Sequence, residues 1–245
     1  MYIYIHIPKA AGSTLRNVIG PHFRESEKYI VRDDIPGDRK RFESMTDEQK
    51  MGIGLLFGHI SYGWHNMVPQ RCRYMTVLRN PVERVPSLYW YIVRSPGHFL
   101  HREVRGMTLL QFIKSGVHAA ADNGMVRQLC GQDRYFNSDG GREPYNDSII
   151  PYGHVTRDHF ILARNHLIRF WMLGIVDRFD QFVNEWKSKT GFQSNYNKHD
   201  NQTPSHQRRE LSDDEYAAII EYNRYDMDLY GIAEARVYET ASGFR

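Results

Sequence analysis

Two cysteines in 245 residues are too few for a disulfide scaffold, and a chain of this length buries about 70–75% of its unfolded surface without one. Cys72 and Cys130 form no CxxC or metal-ligand pair, so they read as reduced thiols. No run of about 18 apolar residues occurs. With a mean hydropathy of −0.61, a transmembrane helix is excluded. The N-terminus lacks the basic, apolar and small-residue succession of a secretory signal. Neither GK[ST] nor GxGxxG is present, which disfavours a Walker-type ATP–magnesium site and a dinucleotide fold. A large net charge is missing too. The balance is +3, and the isoelectric point near 8.8 falls short of the basic character of a nucleic-acid-binding domain, which typically exceeds a pI of about 9. Of the 12 histidines, only His98 and His101 stand at helical i, i+3 spacing, and no carboxylate or cysteine completes a ligand set. No zinc or other metal site is therefore expected. No internal repeat or low-complexity segment is visible.

What is present fits a globular protein: 41% hydrophobic and 25% charged residues. The charge is unevenly spread. Residues 71–105 hold seven arginines against two glutamates, and residues 210–239 hold nine acids against two arginines. The first stretch suits a small anionic ligand or a solvated basic face. The second reads as a solvated helix face.

Residues 1–7 (MYIYIHI) alternate β-branched and aromatic side chains as a strand does. Short apolar runs at 52–58, 74–78 and 171–176 are further strands. Helices are expected from Ser13 or Thr14, acting as cap, to about Ile19. Others should follow the capping box at Thr46, Asn80-Pro81, the apolar stripe Phe179, Phe182, Val183 and Trp186, and the capping box at Ser212. Residues 21–45, about 132–151 and 190–207 read as polar loops. The alternation predicts one α/β domain over residues 1–245: a central parallel sheet flanked by helices, with an anion-binding loop after the first strand. Ligands of such sheets bind at the carboxyl ends of the strands. Three of the expected strands lead to Lys9, His59 and Arg79.

The first strand runs into Lys9, Ala10, Ala11, Gly12, Ser13 and Thr14. Small residues opening a helix leave backbone amides pointing outward, and the helix dipole favours an anion there. Lys9 adds a cation and Ser13 and Thr14 add hydroxyls. The plain alternative is a tight strand-to-helix turn packed with small residues.

Residues 6–15 (HIPKAAGSTL) resemble the 5′-phosphosulfate loop of the carbohydrate sulfotransferases, typically HIPKTGGTT. Residues 77–84 (VLRNPVER) with Ser87 are similar to that family's 3′-phosphate motif, LRDPVERxxS. Residues 122–129 (DNGMVRQL) resemble NxxxRxL, residues 173–179 (LGIVDRF) resemble VGxxERF, and Asn223, Asp226, Leu229 and Tyr230 match NxxDxxLY. Residues 58–62 (GHISY) resemble the GHVSY segment of the heparan sulfate 2-O-sulfotransferases. The matches run in order from residue 6 to about 230. They point to the heparan sulfate 2-O-sulfotransferase-like and bacterial family-2 sulfotransferases.

The resemblance implies a P-loop-like sulfotransferase fold and 3′-phosphoadenosine 5′-phosphosulfate (PAPS) as donor, with no metal. Lys9, Ala10, Ala11, Gly12, Ser13 and Thr14 would bind the 5′-phosphosulfate, and Arg79 and Ser87 the 3′-phosphate. Catalysis would rest on His59 as base and on Lys9 at the breaking bond. His65, Arg127 and Gln128 would lie toward the acceptor. That acceptor is expected to be a saccharide hydroxyl, stacked on aromatics such as Tyr62, Trp64, Tyr89 and Trp90; a small-molecule, lipid or polyketide alcohol is the alternative. Asn80 replaces the usual Asp, and both cap helices. Pro86 should kink the following helix or delay its start, which leaves the orientation of Ser87 open. The rival readings are a P-loop-like small-molecule kinase and a non-catalytic glycan- or anion-binding protein. Neither nucleic acid nor a membrane span is expected. With the first strand starting at Met1, the expected location is the bacterial cytoplasm. The alternative is a Golgi-lumen catalytic fragment without its anchor.

Overall fold

The structure is a computed structural model that describes residues 1–31, 35–131, 150–192 and 210–241. The expected loops over 132–149 and 193–207 lie outside the described residues.

Five strands form one parallel sheet: β1 (Tyr2–Ile5), β2 (Lys28–Ile30), β3 (Leu55–Gly58), β4 (Arg73–Leu78) and β5 (Met172–Ile175), in the order β2-β3-β1-β4-β5. β1 is central, with Ile3 opposite Leu56 on one side and Tyr74 on the other. Its side chains alternate between faces as strand geometry requires. Ile3 and Ile5 enter one apolar cluster with Leu56, Leu78 and Leu173, while Tyr4 enters a second with Leu55, Phe57, Met75 and Val77. Both faces are covered, as a parallel sheet demands. Each fully buried Leu, Ile or Phe contributes about 1.5–3 kcal/mol.

Helices α1 (Gly12–Ile19), α2 (Ile35–Glu43) and α3 (Asp47–Met51) precede β3. Between β4 and β5 come α4 (Pro81–Arg94), α5 (His101–Val104), α6 (Leu109–Ser115), α7 (Gly124–Cys130) and α8 (Arg157–Leu167). The chain ends in α9 (Phe179–Thr190), α10 (Asp213–Tyr222) and α11 (Arg224–Ala241). Residues of α1 and α9 pack on the Tyr4 face, and residues of α7, α8 and α11 on the opposite one. A separate apolar cluster joins α4, α6 and α10. Among the described residues no helix is long and apolar enough to cross a membrane.

The parallel α/β architecture is as the strand and helix alternation predicts. Residues 21–45 are not a loop, however. They contain β2 and α2. β2 has only three residues, none of them buried, so its apolar signal is faint. α2 carries Pro36 and Gly37, residues typical of loops, in its first turn, where proline is tolerated. α11 runs over residues to which the sequence pattern assigns no element. Cys72 and Cys130 are both free thiols.

The acidic C-terminal segment does more than face water. Arg84 of α4 is wholly buried and donates from Nη2 to Asp226 Oδ2 at 3.1 Å, to Asn223 Oδ1 at 3.3 Å and to the Ala120 carbonyl at 2.9 Å. Asp226 also accepts from the amides of Met125 and Val126 at 2.9 and 2.8 Å, in the first turn of α7. Asn123, the N-cap residue of α7, accepts in turn from the amides of Tyr225 and Asp226, in the first turn of α11. The two helices cap each other, which satisfies amides that a helix start leaves orphaned. Tyr230 completes the arrangement by donating to Asp177 at 2.9 Å, just after β5.

Candidate active site

The carboxyl ends of β3, β1 and β4 lie side by side, because the chain crosses from one flank of β1 to the other between β3 and β4. Beyond β1, the Ala10 amide bonds the Ile7 carbonyl at 3.2 Å to close a turn. Lys9 (φ 65°) and Ala11 (φ 59°) both adopt the left-handed region. For residues with a Cβ this costs roughly 1–2 kcal/mol each, strain of the kind found at ligand clamps.

α1 starts at Gly12, one residue before the expected cap. Ala11 is its N-cap residue, no side chain caps it, and no acid stands in its first turn. Ser13 and Thr14 thus lie inside the first turn rather than capping it. The helix's own ladder begins only at Leu15, whose amide meets the Ala11 carbonyl at 3.0 Å. The amides of Gly12, Ser13 and Thr14 precede that ladder, so they are donors of the kind an anion takes. Ser13 is exposed and Thr14 buried. Gly12 is obligatory for steric reasons: a Cβ there would lie 1.8 Å from His6 Nε2.

The His6 ring stacks on His59 with centroids 4.1 Å apart. His59 Nδ1 lies 3.0 Å from the His6 carbonyl oxygen. A carbonyl only accepts, so Nδ1 carries the hydrogen and Nε2 holds the lone pair of the neutral ring. Gln128 is buried beneath, donating from Nε2 to the His6 and Ile60 carbonyls at 3.2 and 3.3 Å. Burial, reinforced by His59, Arg16 and Lys9, holds His6 well below the usual histidine range. His6 is therefore neutral at pH 7.

Arg79 follows β4. Its Nη1 donates to the Lys9 carbonyl at 3.3 Å, and its Nε and Nη2 donate to Glu83 Oε2 at 3.2 and 3.1 Å. α4 then starts at Pro81, with Asn80 Oδ1 capping the Val82 amide at 3.0 Å. It runs unbroken through Pro86 to Arg94, so the expected late start does not occur. Glu83, Ser87 and Tyr91 follow one another at i, i+4 and i+8, on one stripe of this helix. Glu83 meets Arg79 at one end of the stripe. Tyr91 meets Lys9 at the other, with the ammonium 4.3 Å from its ring centroid. Ser87 stands between them, half-buried. Burial, with Arg79 and Arg94 nearby, lowers the Lys9 pKa from its ordinary value.

The structure thus brings together Lys9, the start of α1, Arg79 and the Ser87 stripe, and it sets His59 against His6 at the neighbouring strand end. The other expected residues fall elsewhere. His65 is tied to Tyr74, its Nδ1 2.9 Å from the hydroxyl, and its ring lies against Tyr62. Arg127 is wholly buried, donating to Asp122 Oδ2 at 2.5 Å and to the Ile150 and Pro151 carbonyls at 2.5 and 3.1 Å. Trp64 and Tyr89 are core residues, and Tyr62 stacks on His166 at 3.7 Å. Among the described residues no group of three or more His, Cys, Asp or Glu is placed to hold a metal.

Glu83 and Tyr91 had no assigned place at the site in the sequence. The four-residue spacing from Glu83 through Ser87 to Tyr91 is the signal that carries them, once α4 is known to pass straight through Pro86. Arg84, in the same motif as Arg79, turns away from the site and pairs with Asp226.

No protein-family model matches the chain, and no curated protein matches it by sequence. Among solved structures, the mouse sulfotransferase SULT7A1 complexed with PAP is similar at a TM-score of 0.42 and 13% identity. The likeness covers 93% of this chain and 64% of that one, so the chain spans less than two thirds of that protein's length.

Proposed function

We propose that this chain is a PAPS-dependent sulfotransferase that transfers a sulfonate group to an acceptor hydroxyl, with a saccharide as the acceptor class. The observation that carries this reading is the bond from Arg79 to the Lys9 carbonyl. It ties the cation after β4 to the uncapped start of α1, so two anion-binding elements face one ligand. A donor with phosphates at both ends of its ribose suits that pair. The ordered motifs from residue 6 to about 230 support the same donor.

In this reading the amides of Gly12, Ser13 and Thr14 and the Ser13 and Thr14 hydroxyls hold the 5′-phosphate end. Arg79 exchanges its Glu83 partner for the 3′-phosphate, with Ser87 beside it on the α4 stripe. Bound PAPS supplies the activated sulfonate. His59 Nε2 takes the proton as the acceptor oxygen closes on sulfur. Lys9 meets the charge that gathers on the bridging oxygen as the S–O bond breaks, which is where a fixed cation lowers the barrier most. The products are the sulfated acceptor and adenosine 3′,5′-bisphosphate. Arg127 and Gln128 act from behind the site: Arg127 anchors the segment before α7, and Gln128 holds the His6 carbonyl.

The test is donor consumption over a panel of oligosaccharides and small-molecule alcohols, with calorimetry of adenosine 3′,5′-bisphosphate alongside. Bisphosphate binding and acceptor-dependent donor turnover are expected. Thermal stabilisation by ATP–Mg²⁺ but not by the bisphosphate would turn the assignment to a kinase.

A further inference from the structure

Lys9 is held at its backbone from two sides, by its left-handed conformation and by Arg79 on its carbonyl. Its side chain is a different matter. A lysine stem is flexible, and the two charged neighbours that act on this ammonium, Arg79 and Arg94, both repel it. Among the described residues it forms no ion pair with a carboxylate. Left to these forces it would swing toward water and away from the loop. Among the described residues, the attraction that opposes this is the negative face of the Tyr91 ring, 4.3 Å from Nζ and within cation–π range. Tyr91 is 46% exposed and stands outside the core; its ring meets the His98 ring edge-on at 5.7 Å and offers Lys9 its face.

We propose that Tyr91 is a positioning residue for Lys9: its ring fixes where the ammonium stands at the mouth of the loop after β1. The proposal rests on the reading of Lys9 as the cation that meets the donor's bridging oxygen. It extends that reading to a residue outside the motifs. The stripe from Glu83 to Tyr91 then acts as a rail along which α4 seats both cations of the site, Arg79 near its start and Lys9 two turns further on.

The test follows the Lys9 ε-methylene signal by NMR in protein carrying ¹³C-labelled lysine, assigned by its loss in Lys9→Arg. The ring should move this signal upfield in the wild type and in Tyr91→Phe, and the shift should vanish in Tyr91→Leu. With an acceptor in hand, Tyr91→Leu should lower kcat about three- to tenfold while the donor KM changes less than about twofold, and Tyr91→Phe should restore kcat. A Lys9 signal without a ring shift in the wild type overturns the proposal. So does wild-type kcat in a Tyr91→Leu protein that has lost the shift. If the shifts behave as expected but saturating adenosine 3′,5′-bisphosphate leaves the Lys9 signal unmoved, the seat of Lys9 on Tyr91 stands and the donor reading falls.

Discussion

The Nδ1–H of His59 is committed to the His6 carbonyl, and this leaves Nε2 as the basic nitrogen. A positioned base contributes typically 10²–10⁴-fold. His59→Ala should therefore lower kcat by about that factor and leave bisphosphate affinity within about twofold of the wild type. Near-wild-type turnover would remove His59 from the mechanism. A second histidine carries a stability prediction. His118 is buried, its Nδ1 accepts from the Ala120 amide, and burial together with nearby His98, Arg84 and His59 pushes its pKa down to about 3. The unfolded chain binds that proton below about pH 6.5, whereas the folded chain refuses it until about pH 3. Acid thus favours the unfolded state through that window, by up to about 1.4 kcal/mol per pH unit. His118→Asn keeps an acceptor for Ala120 and cannot titrate. Denaturant unfolding at about pH 7 and pH 5 should show a smaller acid loss in this variant, by roughly 1–2 kcal/mol. An equal loss in both proteins would show that His118 is not the sensor.

At the level of elements, α4 organises the site. Glu83 satisfies Arg79 with one carboxylate oxygen, so a phosphate bound at Arg79, as proposed, would meet a competitor of its own sign. Glu83→Gln should tighten adenosine 3′,5′-bisphosphate binding about fivefold, and Arg79→Ala should weaken it about 10–100-fold. Calorimetry on both variants decides the matter, and weaker binding in Glu83→Gln would mean that the carboxylate aims Arg79 rather than competing for it. Much of this element was legible in the sequence. Asn80-Pro81 marks its start, and Val82, Val85, Leu88 and Ile92 give it an apolar face. Continuity through Pro86 was not, because the cost of the lost bond to Val82 is local, while the packing of Val85, Leu88, Tyr89 and Ile92 that offsets it is tertiary. The start of α1 was misplaced for a related reason. Ser13 and Thr14 are good capping residues by type, but the backbone turns into its helix at Ala11, where a left-handed residue and the His6 ring over Gly12 set the geometry. β2 and α2 were hidden because a three-residue strand without buried side chains and a charged helix carry little periodic signal.

For the molecule as a whole, the motifs divide by position in the chain. Those before residue 90 supply most of the candidate site, and those after residue 120 build most of the node that joins α4, α7 and α11, with Arg84 reaching the node from the earlier set and Gln128 reaching the His6 carbonyl from the later one. Its core is the wholly buried pair of Arg84 and Asp226, where burial pushes the Asp226 pKa up against the pull of the guanidinium and two amides. A buried pair contributes little net stability compared with apolar packing, but leaving one charge alone costs about 3–5 kcal/mol. Asp226→Asn keeps one of the two oxygens that accept from the α7 amides, turns an NH2 toward the other donor and strands the Arg84 charge, so denaturant unfolding should show a loss of at least about that size. Adding Arg84→Met removes the stranded charge and should return roughly 1 kcal/mol or more, although it deletes further hydrogen bonds. Further loss in the double variant would mean that the node is held by its hydrogen bonds, including those to Ala120 and Asn223, rather than by charge balance. Bisphosphate affinity separates the node from the candidate site: the node lies outside the loop after β1, so each of these two node variants, if it still folds, should keep the wild-type value.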